Sequence, residues 1–66
     1  MIAISKLGFA YMVRATPPEV SKPWGSLLPL SASNVVEELI RHGCGLRDAF
    51  DAMIVADPVR AAKELR

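Results

Sequence analysis

One cysteine and one histidine in 66 residues remove several kinds of protein at once. A lone cysteine closes no intrachain disulfide and cannot supply a Cys-rich zinc module. Charge of one sign is also missing: eight basic side chains stand against seven acidic ones, for a net charge of +1, and no run of like charge exceeds two residues. Such a chain has no bulk electrostatic pull toward nucleic acid or an anionic membrane. Long apolar runs are absent too. The stretch Leu7–Val13 is the longest near the start, and a membrane helix needs about 20 apolar residues. Lys6 interrupts the apolar opening instead of preceding it, which is the wrong order for a secretory signal. There is no glycine-rich phosphate loop and no G-x-S-x-G setting for any serine. The lone thiol favours a reducing compartment. These features lead to the expectation of a cytoplasmic, non-enzymatic protein with no metal and no cofactor.

What is present is a folded domain's composition, 52% hydrophobic and 23% charged. The length allows one domain, residues 1–66, whose core must be small, because a chain this short buries only about 60% of the surface its unfolded form exposes. The expected fold is α+β: an N-terminal strand or β-hairpin (about 7–14 and 26–30) packed on three C-terminal helices (about 34–42, 46–56 and 58–65). Leu7, Phe9, Tyr11 and Val13 recur at period two, which predicts a half-buried strand. A helix capped by Ser5 is the rival reading, opposed by Gly8 and by the stop at Thr16-Pro17-Pro18. Residues 16–33 hold four of the five prolines and form a Pro/Ser-rich connector. Within it Pro29 requires any strand at 26–30 to lie at a sheet edge or to end there.

The helices carry clearer signals. Asn34 with Glu37, or Ser33 one position earlier, reads as an N-cap, and Gly43 as a left-handed stop. Val35, Val36, Leu39 and Ile40 form the first buried stripe. Leu46, Ala49, Phe50, Met53 and Ile54 form the second at helical spacing. Asp57-Pro58 restarts the chain as cap and first helical residue, with Val59, Ala62 and Leu65 predicted inward. Opposite charges at i, i+4 (Glu37–Arg41, Arg47–Asp51, Arg60–Glu64) support all three helices.

His42 and Cys44 sit close together at a helix end and invite a metal or thiol–imidazole reading. Borderline-soft metal sites need at least three His or Cys, and a catalytic pair needs an orienting third group. A solvated last-turn histidine and a small apolar residue in a turn account for them better. Asp48 and Asp51 read as a solvated helix face and Asp57 as a cap.

The unabsorbed feature is the second helix. Its apolar residues cover about 200° of the circumference at 3.6 residues per turn, roughly twice what a surface helix needs, and Val55 projects from the remaining side. Excess apolar surface on a chain with so little core points to a partner, either a second copy or another protein. The residues expected to bind it are Phe50, Ala52, Met53, Val55 and Ala56, with Trp24 as a loop anchor. The reading is thus a protein–protein interaction module: a small regulator, inhibitor or adaptor, of phage or accessory type. The alternative is a dimeric helix-turn-helix or ribbon-helix-helix DNA-binding regulator using Arg41 and Arg47. Charge opposes it: residues 34–66 carry five basic and six acidic groups, whereas a DNA reader concentrates cations on one face.

Overall fold

A computed structural model describes the backbone of residues 1–64 and the side chains of residues 1–63. Its element order is β1 (Ile2–Leu7), β2 (Ala10–Ala15), β3 (Trp24–Gly25), α1 (Ala32–Arg41), α2 (Leu46–Ala56) and α3 (Pro58–Glu64). The antiparallel sheet has the order β1-β2-β3, followed by three helices, an α+β layout.

The hairpin lies earlier than the period-two pattern suggests. Gly8 adopts φ +64° and, with Phe9, makes a two-residue turn between the paired residues Leu7 and Ala10. Glycine at the first central position is what a type II′ hairpin turn requires. The stretch 7–14 is therefore not one strand. The turn divides it, leaving Leu7 and Phe9 outside at 54% and 86% exposure, with the Arg60 guanidinium over the Phe9 ring. Tyr11, Val13 and Ala15 of β2 point into the core.

Residues 26–30 also depart from expectation. Gly25 pairs with Arg14, and Leu30 bridges to Tyr11 through two backbone hydrogen bonds of 2.8 Å. The chain advances from 25 to 30 while β2 retreats only from 14 to 11, so the extra residues bulge outward. Leu27 and Leu28 stand exposed on that bulge at 94% and 73%. Proline, unable to donate in a ladder, sits within it. The connector before it contains a cis Pro17–Pro18 bond.

Helix α1 starts two residues before the predicted Asn34 cap. Ser31 is the cap, its hydroxyl accepting from the Asn34 N–H at 3.3 Å. The Leu30 bridge fixes the chain just upstream, and the earlier start buries Ala32. The C-terminus ends as read. Cys44 N–H donates to Leu39 O and Gly43 N–H to Ile40 O, with Gly43 at φ +100°, a Schellman closure. A Cβ on Gly43 would lie 2.3 Å from the Ser21 hydroxyl, so close packing demands glycine here as well.

Helix α2 has the predicted bounds, yet only Ala49 and Met53 are fully buried along it; Leu46 and Ile54 remain 57% and 47% exposed. Helix α3 is rotated from the predicted phase. Ala61 is buried, Val59 and Ala62 are exposed, and Leu65 lies outside the described residues, as does the Glu64 side chain of the expected Arg60–Glu64 pair. The rotation follows from Asp57, which caps α3 while anchored elsewhere. Its Oδ1 accepts from the Arg60 N–H at 3.2 Å and its Oδ2 from the Tyr11 hydroxyl at 2.7 Å. Of the other two predicted pairs, Arg47 reaches Asp51 at 3.7 Å, while Arg41 pairs with Glu38 in place of Glu37.

The core between sheet and helices is built mostly from small residues. Val13, Ala15, Val20, Val35, Val36 and Ala49 surround the larger Tyr11, Leu39 and Met53. The opposite face of the sheet, bearing Ala3, Ser5 and Arg14, is exposed.

Candidate functional site

Among the described residues, four places bear on the expected chemistry and docking. The most polar is the cluster of Tyr11, Asp57 and Lys6. The β-hairpin presents Tyr11 and Lys6 as cross-strand neighbours on one face, and the α2–α3 junction brings Asp57 to both. Lys6 Nζ lies 3.1 Å from Asp57 Oδ2. The Tyr11 hydroxyl, then the Arg60 N–H and Lys6, hold the Asp57 carboxyl down at about 2. Burial first, then the hydrogen bond to Asp57 and the Asp57 charge, push the Tyr11 phenol up. A phenol kept protonated and a carboxylate kept ionised, with the ring wholly buried, make a latch between sheet and helices, not an acid–base pair facing a substrate.

The second place holds His42 and Cys44. His42 is not a solvated last-turn residue. Its ring stacks on Trp24 with centroids 4.3 Å apart and planes 19° from parallel, and its Nδ1–H donates to Glu38 O at 2.8 Å. Cys44 is buried, and burial raises its thiol pKa, followed by the charges of Asp48 and Glu19. A thiol shifted in that direction is less nucleophilic at neutral pH. Among the described residues no group of three or more His, Cys, Asp or Glu is placed to hold a metal ion. Trp24 belongs to β3, where it pairs with Ala15, and is half-buried against His42.

The third place concerns the cations considered for DNA. Arg41 and Arg47 each lie beside a carboxylate, at 3.5 and 3.7 Å. The exposed side of α2 mixes Arg47 with Asp48, Asp51, Ile54 and Val55. The strand that a ribbon-helix-helix arrangement needs at 26–30 is replaced by the bulge described above.

The fourth place is a groove of about 370 Å³ between β1 and the flank of α2. Ile2 and Ile4 from the strand face Ala52, Val55 and Ala56 from the helix across it, and Glu19, Asp48 and Asp51 form its charged rim. Val55 is 84% exposed, an unusual degree for a valine beside other apolar side chains. Glu19 is held at the start of β1 by the Met1 ammonium, which keeps its carboxyl below the usual range. Lys6 marks the other end, where Asp57 follows the last residue of α2.

Three of the residues expected to bind a partner (Ala52, Val55 and Ala56) thus come together. Phe50 is half-buried, and Trp24 lines a separate depression with Lys22 and Arg41. Met53 must be withdrawn from that set: it is fully buried in the core because it lies on the same side of α2 as Ala49. The sequence reading missed Ile2 and Ile4, although their alternation ahead of Lys6 is itself a period-two signal.

The groove also has an open strand edge. Met1 and Thr16 exchange backbone hydrogen bonds of 2.8 Å, which fixes the alternation of the β1–β2 ladder. Ala3, Ser5 and Leu7 therefore turn their N–H and C=O groups toward β2, while those of Ile2, Ile4 and Lys6 point away from the sheet. No backbone partner meets the outward groups among the described residues. No helix among them is long and apolar enough to cross a membrane. Comparison with protein-family models, curated proteins and solved structures finds no match for the chain.

Proposed function

We propose that the chain is a non-enzymatic protein–protein interaction module, a small regulator, inhibitor or adaptor that docks through the groove between β1 and α2. A cytoplasmic setting is part of the proposal and rests on the lone thiol. The observation that carries it is Val55, 84% exposed beside Ile2 and Ile4 at an unpaired strand edge. Full burial of a residue such as valine is worth about 1.5 kcal/mol or more, a large share of the few kcal/mol that hold a domain this size. An open edge adds main-chain hydrogen bonding, and neighbouring apolar side chains add selectivity, the logic of strand-addition interfaces.

A photo-crosslinking residue placed at Val55, with a control at Ser5 on the open sheet face, tests this in the producing cells. Protein adducts, including adducts to a second copy, are expected from position 55 and not from position 5. Silence at position 55 under conditions where the protein is folded and abundant removes the docking reading.

A further inference from the structure

We infer that the occupant of the groove is a second copy of this chain, joined by antiparallel pairing of β1 with β1 about a two-fold axis at Ile4. The inference rests on the docking reading above and adds its partner and geometry.

The register follows from the strand. Its outward backbone groups belong to Ile2, Ile4 and Lys6, which are evenly spaced about Ile4. In an antiparallel pair centred there, Ile4 faces Ile4 of the partner subunit, and Ile2 faces Lys6 of the partner subunit. Each facing pair exchanges an N–H and a C=O in both directions. No outward group of the three is left over. The three-stranded sheet continues into its copy, and the exposed edge disappears.

Charge favours the same arrangement. Three carboxylates line the groove away from Lys6: Glu19, tied to the Met1 ammonium, Asp51, beside Arg47, and Asp48. The cation of the strand, Lys6, lies at its other end and is still 56% exposed beside Asp57. The two-fold turns each edge end for end, so Lys6 of the partner subunit enters the acidic end of the groove on the face that Ile2 occupies. The two ends are equivalent, so this approach of Lys6 toward the side of the groove that carries Asp48 occurs twice. A parallel pairing would instead place lysine beside lysine.

The helix flank suits the approach. Ala52 and Ala56 lie one turn apart on either side of Val55 along α2. Small residues at that spacing let two helices come within about 8–10 Å of one another, with Val55 between them. A different protein with a basic, extended segment would also satisfy the charge, and the measurements below separate it from a second copy.

Amide hydrogen exchange measured by NMR across a concentration series tests the geometry. The amides of Ile2, Ile4 and Lys6 are expected to gain protection as concentration rises. Those of Ala3, Ser5 and Leu7, already bonded to β2, should be protected throughout. A synthetic chain N-methylated at Ile4 loses the central outward donor and keeps the β2 ladder. It should dimerise about tenfold more weakly, or worse, with an unchanged circular dichroism spectrum. Amides of Ile2, Ile4 and Lys6 that stay unprotected up to the highest concentration overturn the dimer, as does association indifferent to Ile4 methylation. If position 55 still crosslinks to another protein in that case, the docking reading survives; if it is silent too, both fall.

Discussion

Replacing Tyr11 with Phe removes a single oxygen from a fully buried ring and leaves the core volume nearly unchanged. That oxygen donates to Asp57 Oδ2 at 2.7 Å, and Asp57 in turn caps α3 and holds Lys6. A hydrogen bond to a charged group contributes about 1.5–3 kcal/mol, so Tyr11→Phe should lose roughly that amount in urea unfolding followed by circular dichroism. For a chain of this length, the melting temperature should drop by roughly 10 °C. Acid sensitivity should change as well. The folded-state Asp57 carboxyl sits at about 2, below the ordinary value near 4 expected for the unfolded chain. Its contribution is therefore complete above about pH 4 and lost as pH falls toward about 2. Without the Tyr11 hydroxyl the folded carboxyl rises toward its ordinary value, and the loss of stability across that window shrinks. The cap variant Asp57→Asn, combined with Tyr11→Phe in a double-mutant cycle, should show strong non-additivity. A loss below about 0.5 kcal/mol with an unchanged acid profile would refute the latch.

Three further expectations follow from particular contacts. Gly43→Ala should cost about 1–3 kcal/mol by denaturant titration, because φ +100° is hostile to a side chain and Ser21 occupies the space; a neutral result would mean that the Schellman turn or the Ser21 contact is misplaced. His42→Ala should lower stability by about 0.5–1.5 kcal/mol and alter Trp24 fluorescence, since the two rings stack. Unchanged emission would contradict that stacking. Affinity for random duplex DNA at about 150 mM salt should be no better than roughly 10⁻⁴ M. Sub-micromolar, salt-sensitive binding abolished by Arg47→Ala would support the DNA-regulator alternative instead.

The helical half was the more legible in sequence because local rules decide it. Asp57-Pro58 marks a boundary by cap chemistry, Gly43 by its left-handed backbone, and α2 by spacing alone. The sheet was less legible because its register depends on Gly8, one residue in an apolar run whose period-two pattern continues straight through the turn. Once the turn is placed, Leu7 and Phe9 leave the core and Ile2 and Ile4 approach it. The phase of α3 was equally hidden, since Asp57 takes its rotation from Tyr11, 46 positions away in the chain. Of the groove, one wall was readable: Val55 projecting from a helix already rich in apolar residues. The other wall and its open edge required the hairpin.

The central claim, that a second copy closes on the β1 edge and the α2 flank, is tested most directly by sedimentation equilibrium of the wild-type chain beside Val55→Asp. The wild-type mass should rise with concentration from 7.2 kDa toward twice that value. Val55→Asp should remain at the monomer mass with the same helical signal, because its new charge would be buried against the partner. A wild-type chain that stays monomeric at high micromolar concentration, or a Val55→Asp chain that associates as strongly as wild type, would contradict the claim.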